Sequence, residues 1–409
     1  MFLSALDRRV RLILSFRSSH TQRKKEMQQG DQSYAARADA KKYAEQKFHQ
    51  IVSRGRRQIP EFIDMVQSQV PSDKIIKDRN AVWEMDSKQF YLKVPSDQTG
   101  QAHDYLAVHP NGFSQAASKL GCGSQIISKN RQQNAPWADD LSLQILNGYQ
   151  SHSPNRSLLR VVGEDNLRAV LSDSYNRLDT GILLANFMEV MRERSFVPIE
   201  TTVTDTRVSI RMADPEIVEA VEGEPLLFLS VFNHSDFGVG TYNLRQGCMR
   251  MWCTNRCISE ESFRKVHKGA KAPEEIDVAW SERTLRLQTE TAVSETSDML
   301  KTITDGSSKA QMLALYREAD RRQINSPNQI ATLKKLLSKE ELAKVCGLFD
   351  SPDNHNLPSG KSLSRAINSL TFFAQSEEVT TSRRLELEEI AGKLMPKRTS
   401  QKALPPASI

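Results

Sequence analysis

The chain has 409 residues, of which 38% are apolar and 26% charged, the make-up of a soluble globular protein with enough apolar material for a sizeable core and two or three domains. No apolar run approaches the roughly 18 to 20 residues that a spanning helix needs, which excludes an ordinary membrane span. The formal net charge is +6 and the pI near 9.0, a mild excess that is compatible with a polyanionic partner without proving one.

Residues 1–26 form a basic N-terminal extension rich in Arg and Ser, whose apolar residues from Phe2 to Phe16 fit a basic amphipathic helix. Three readings stand beside one another: an organelle-targeting segment, a nucleic-acid or membrane-surface arm, or an extension made by an early start codon, since Met27 opens a sensible globular sequence. Residues 27–75 make a helical region with Pro60 as its main breaker. It carries alternating charge and then the cluster Arg54, Arg56, Arg57, a solvated face or a phosphate-contacting surface.

An α+β core is expected over residues 76–290. Asn80–Met85 and Gln89–Val94 read as a hairpin, and Tyr105–Val108 as a further strand. Gly112–Leu120 fits a short helix ended by Gly121-Cys122-Gly123, and Pro136–Gln150 fits a second. Leu158–Gly163 and Leu167–Leu171 read as hairpin partners. Ser172–Asp179 then leads into a helix over Thr180–Arg194, with Leu183, Leu184, Phe187, Val190 and Met191 at helical spacing. Val197–Met212 holds two strand-like pieces, and Asp214-Pro215 marks a turn.

The stretch Pro225–Gly269 organises the rest. It reads as a buried strand (Leu226–Phe232), a loop with glycines at 238 and 240, a second strand (Thr241–Trp252), and a helix opened by Ser259-Glu260-Glu261. Beyond it, Glu274–Lys309 is helix-prone with a break near Asp305-Gly306-Ser307-Ser308. Residues 291–395 form a helical C-terminal region with its clearest break at 350–360, and 396–409 a disordered tail. Strands crowd the middle and helices the ends. The expected fold is therefore α+β, a central mostly antiparallel sheet flanked by helices, with a helical C-terminal part.

Catalytic signatures are lacking. Cys248-x4-Cys253-x3-Cys257 with His267 has no second ligand pair, so buried thiols are expected rather than zinc. Cys253 with His234 or His267 as a thiolate–imidazole pair has no support from spacing. No phosphate-loop or dinucleotide fingerprint occurs, and Gly238-Val239-Gly240 lacks both a third glycine and a following helix. A non-enzymatic protein with no cofactor and no metal is expected. Five cysteines, odd in number and without a secretory signal, point to reduced thiols and a cytoplasmic location, that of the host cell if the protein is viral.

Binding has more to recommend it. Arg160, Arg168, Arg177, Arg207, Arg211, Arg245, Arg250 and Arg256 spread through the strand-rich region, interleaved with Tyr175, Phe237, Tyr242 and Trp252. Arginines that neutralise phosphates and rings that stack on bases are the chemistry of single-stranded nucleic-acid binding. The plainer alternative is that the aromatics are core and the arginines a solvated face.

Three segments carry a family resemblance: LRAVLSDSYNRLD (167–179), LFLSVFNHSDFGVGTYNLRQGCMRMWCTNRCI within the central stretch, and AINSLTFFAQSEEVTTSRRLELEEIAGKL (366–394). Together they resemble a phage and plasmid family, the domain of unknown function numbered nine-three-two, over about 105–395. The matching positions are Arg168, Leu171, Ser172, Asp173, Tyr175, Asp179, Gly238, Gly240, Cys253, Thr254 and Asn255. The chain departs from the family at Asn233-His234-Ser235-Asp236, usually Asn-Ser-Glu, and at Arg256, usually glycine. The resemblance implies DNA metabolism beside replication or recombination genes, by setting rather than by chemistry. The expectation is a single-stranded DNA-binding protein of annealing type, acting as a homo-oligomer, with Arg168, Tyr175, Arg177, Arg245, Arg250 and Arg256 as contacts. Its rival is a non-catalytic protein-interaction or virion-associated structural protein.

Overall fold

A computed structural model describes residues 40–96, 102–221, 224–251, 256–265, 282–351, 357–358 and 360–396. The N-terminal extension, residues 397–409 of the tail, Trp252, Cys253 and His267 lie outside the described residues. The fold is α+β, but its strands form two sheets where one central sheet was expected.

The chain enters with helix α1 (Ala40–Ser68), which runs through Pro60. Ala44, Ile51, Val52, Ile59, Phe62, Ile63 and Val66 are buried along it at helical spacing. Arg54, Arg56 and Arg57 are exposed. Gly55 lies against the backbone of Pro198 and Ile199, leaving no room for a Cβ, so this helix approaches the second sheet closely because of a glycine.

The first sheet is six-stranded, in the order β1-β5-β6-β4-β3-β2. Its strands are β1 (Ser72–Lys77), β2 (Val82–Asp86), β3 (Gln89–Pro95), β4 (His103–Val108), β5 (Arg156–Val162) and β6 (Asn166–Ser172). All neighbours are antiparallel except β4 and β6. Between β4 and β5 come α2 (Pro110–Leu120), α3 (Ser124–Gln132) and α4 (Pro136–His152). They supply Ala116, Ala117, Ile127 and Leu146 to a core with Trp83, Phe90, Leu92, Leu106, Leu159 and Leu167 of the strands. Strand β1 crosses the end of the region read as helical, and α3 was not anticipated.

Helix α5 (Thr180–Glu193) leads to the second sheet, antiparallel in the order β11-β10-β9-β8-β7: β7 (Val197–Val203), β8 (Val208–Val221), β9 (Glu224–His234), β10 (Tyr242–Arg250) and β11 (Arg256–Lys265). Two expectations fail here. Asp214-Pro215 is no turn but lies inside β8, at a register shift between Ala213 and Ile217; a proline without an N–H is accommodated where the ladder is already broken. Ser259-Glu260-Glu261 opens no helix, because β11 pairs along the free edge of β10, and that ladder overrides the local cap signal.

In β9 the pleat divides the core. Leu227, Leu229 and Val231 pack with Ala44, Ile51 and Val52 of α1. Phe232 joins α5 and α6 (Glu282–Ile303), and Leu226 and Phe228 join the C-terminal helices. Those helices are α7 (Gly306–Arg321), α8 (Ala331–Leu336), α9 (Lys339–Asp350), α10 (Leu363–Phe373) and α11 (Thr381–Leu394). The expected break near 305 is real: the Asp305 carboxylate accepts from Ser308 N at 2.7 Å and caps α7.

Candidate nucleic-acid interface

The alternation along β3 decides which face of the first sheet is open. Phe90, Leu92 and Val94 are buried against the helices, while Tyr91 and Lys93 point the other way and are half-buried. On β4, Leu106 and Val108 are buried and Tyr105 is 50% exposed. Register sets Lys93 beside Tyr105 and Val82, and Tyr91 beside Ala107 and Glu84. Lys93 Nζ lies 5.4 Å from the centre of the Tyr105 ring and 3.7 Å from Glu84. A hydrogen bond with Tyr105 is the main reason its ammonium is held above the ordinary lysine value. Strands β2, β3 and β4 thus present two tyrosines and a lysine on a face that no described helix covers.

The same face at β5 and β6 is closed. The loop between β9 and β10 lays Phe237 among Leu158, Val162, Ala169 and Leu171. Gly238, at φ 69°, suits the left-handed backbone there, and a Cβ would sit 2.6 Å from Leu171 Cδ2, so that a larger residue is strained and displaces the leucine. Asn111 and Gln115 of α2 donate to Phe237 O at 3.0 and 2.8 Å.

At the centre of this junction is Arg160, 1% exposed. Its Nε donates to Asp73 at 2.9 Å, Nη2 to Asp179 at 2.6 Å and Nη1 to the Asp236 carbonyl at 2.9 Å. The Asp236 carboxylate accepts from Thr180 N at 2.9 Å. His234 Nε2 lies 2.6 Å from Leu178 O and 3.1 Å from Asp236 Oδ1; both are acceptors, so Nε2 carries the proton. Burial pushes the Asp236 carboxyl upward, but hydrogen bonding and charge from His234, with the charge of Arg160, hold it below the ordinary value. Burial dominates at Asp179 and raises it despite Arg160. LSDSYNRLD and NHSDFGVG therefore meet in space, around an arginine that neither contains.

The six expected contacts divide accordingly. Arg168 sits on β6, where the closed half borders the open one. Its guanidinium lies 5.6 Å from the Phe237 ring and donates to Asp205 O at 2.8 Å, with no carboxylate paired to it among the described residues. Tyr175 packs against the Phe237 cluster, and burial raises its phenol. Arg177 is paired with Asp73 at 3.2 Å.

The second sheet's arginines face elsewhere. Arg245 is paired with Glu389 of α11 at 2.8 Å. Arg250 corrects the expectation outright: it is 2% exposed and forked onto Glu224, so its charge is compensated inside the core and cannot reach a phosphate. Arg211 is likewise buried between Glu200 and Glu388. The Arg256 side chain lies outside the described residues, as does that of Cys257. Cys248 is buried, and among the described residues no cluster of His, Cys, Asp and Glu has the arrangement of a metal site.

Sequence reasoning missed Tyr91, Lys93 and Tyr105, although the alternation Phe90-Tyr91-Leu92-Lys93-Val94 was a usable signal. Comparison with family models, curated proteins and solved structures returns no match. No described helix is long and apolar enough to cross a membrane.

Proposed function

We propose that the protein binds single-stranded DNA on the open half of its first sheet, without catalysing a reaction on it, and supports annealing in phage or mobile-element recombination or replication. The observation that carries this reading is the pair of half-buried Tyr91 and exposed Tyr105 on a sheet face that no described helix covers, with Lys93 beside Tyr105 and, at its border, Arg168, which has no carboxylate partner among the described residues. Exposed rings on a flat sheet stack on unpaired bases, and a duplex hides its bases from them. Glu84 offsets Lys93, so stacking outweighs charge on this face and the salt dependence it contributes is shallow. DNA rather than RNA, and an oligomeric annealing role, follow only from the family resemblance.

Fluorescence anisotropy with labelled single-stranded and duplex DNA over a salt series tests the proposal. Preference for the single strand, persisting as salt rises, is expected. Equal affinity for the two forms, or none at low salt, would remove the reading.

One observation favours the rival protein-interaction reading. Ile126 of α3 and Trp137 of α4 are 60% and 59% exposed, with Leu141 also exposed. Exposed apolar groups of this size are common in partner surfaces. On that reading Trp137→Asp would lower the mass of assemblies seen by light scattering and leave DNA binding untouched.

A further inference from the structure

At the tip of the β2–β3 hairpin, on the side of α3 and α4, lies a cavity of about 280 Å³. It is lined by Lys88, Ser128, Arg131, Gln132, Asn134 and Asp139. Two cations and one carboxylate give the lining a net charge of +1 at neutral pH, and the other three residues carry hydroxyl or amide donors. None of these groups belongs to the tyrosine face described above.

Two features distinguish this cleft from an ordinary polar dimple. The first is the hairpin turn. Ser87 and Lys88 have φ of 48° and 68°, so both central residues are left-handed, as a two-residue hairpin turn demands. Asparagine or aspartate followed by glycine normally fills such a turn, and a lysine at its second position carries a conformational cost that the turn itself does not need. Asn134, across the cleft, has φ of 54°. Among the described residues only four non-glycine positions have positive φ; two of them, Lys88 and Asn134, line this one cavity and a third, Ser87, directly precedes Lys88, the setting in which ligand clamps store strain.

The second feature is a fixed guanidinium. Arg131 lies over the Phe90 ring with its carbon 4.6 Å from the ring centre, and its Nη2 donates to the Lys88 carbonyl. Lys88 Nζ in turn donates to Asn134 Oδ1. Stacking and one hydrogen bond hold the planar group in place and leave its other N–H donors unpaired among the described residues. A held arginine fork beside a lysine is the arrangement that recognises phosphate oxygens.

We infer that this cleft is a phosphate-binding subsite, with Arg131 and Lys88 as its cations and Ser128, Gln132 and Asn134 as neutral donors. Asp139 sets the limit on charge: it disfavours a polyphosphate and suits a single phosphate group of low charge. Two sources share that chemistry, a phosphodiester of a strand lying on the tyrosine face, or a free phosphorylated compound. Lys88 is three residues from Tyr91, roughly 10 Å along an extended strand. Although Arg131 over Phe90 is on the opposite face of the sheet, Lys88 at the hairpin tip is where a DNA strand leaving the tyrosine face would turn over the edge, so the strand is the source we assign. That assignment rests on the proposed function; the subsite itself does not.

The test uses the full chain and inorganic phosphate, followed through the backbone amide resonances of Ser87, Lys88 and Asn134. Saturable shifts of these amides are expected in the wild type and not in Arg131→Gln. Lys88→Gly is the second variant. Glycine suits the left-handed position, so this variant keeps or gains stability, and its loss of phosphate binding cannot be ascribed to unfolding. A parallel salt series with single-stranded DNA separates the sources: Lys88→Gly should reduce the salt slope by about 0.7, the value for one single-strand phosphate contact. Phosphate titration with an unchanged slope would establish the subsite and overturn the strand as its source. Phosphate titration with no DNA binding at all would leave the subsite standing and remove the proposed function. Absence of saturable shifts in the wild type would overturn the subsite.

Discussion

One face of the first sheet behaves in two ways. Over β5 and β6 it is roofed by loops from the second sheet, and the arginines at the junction meet carboxylates: Arg160 meets Asp73 and Asp179, and Arg177 meets Asp73. Arg168 at the border has only the Asp205 carbonyl and the Phe237 ring among the described residues. Over β2, β3 and β4 no described helix covers the same face, and at its centre stand two tyrosines, a lysine and a glutamate. The contrast separates residues that hold the sheets together from residues left free to meet a ligand. Arginine abundance is a poor guide to the second class, because a buried guanidinium needs acceptors brought to it, carboxylates for Arg160, Arg211 and Arg250 and carbonyls for Arg365, and so marks a junction. An aromatic ring on a sheet face needs no buried counter-charge, and Tyr105, exposed with Lys93 against it, marks the surface worth testing.

The largest effect should come from the closed half. Arg160→Leu leaves Asp73 and Asp179 without their buried partner and should destabilise the protein by about 3–5 kcal/mol, read as a lower midpoint in urea unfolding. A change under about 1 kcal/mol, the size of a surface pair, would mean the junction does not bind the sheets together.

Gly238→Ala tests the same junction through sterics. Its φ of 69° and the Leu171 contact predict a loss of about 1–3 kcal/mol. An unchanged midpoint would show that the loop rides loosely over the sheet.

A smaller effect is set by pH. The folded Asp236 carboxyl is depressed, so its contribution is present above the ordinary aspartate value of about 3.9 and is lost as pH falls through the lower folded value. Asp179, raised by burial, contributes with the opposite sign and blunts the net slope. The stability difference between wild type and Asp236→Asn should therefore shrink on acidification below about pH 4. A difference constant with pH would place the Asp236 stabilisation in packing instead of charge.

Much of the fold was legible where periodicity was clean. Helix α5 from Leu183 to Met191, the β2–β3 hairpin and the β5–β6 hairpin all lie where alternation or helical spacing put them. The errors came where long-range pairing overrode local signals: Pro215 inside β8, and Glu260-Glu261 inside β11. The candidate site was less legible for a physical reason. Whether an arginine on a strand meets a carboxylate or water depends on which element roofs it, and that partner lies 87 residues away for Arg160 and Asp73. Likewise Arg250 and Arg211 read as surface charge in sequence, and only the positions of Glu224 and Glu388 reveal them as core. Tyr91 and Tyr105 were recoverable from alternation alone, but nothing in the sequence said which face of the sheet stayed uncovered.

The most direct test sets one residue from each half side by side: single-stranded DNA affinity of Tyr105→Ala against Arg177→Gln, with unfolding midpoints measured on both. The open half predicts that Tyr105→Ala weakens binding by about 1–3 kcal/mol, the worth of one stacked base, at unchanged stability. The closed half predicts that Arg177→Gln lowers stability and leaves affinity as it was. Full affinity in Tyr105→Ala with loss in Arg177→Gln would contradict the division of the face and move the interface to the junction.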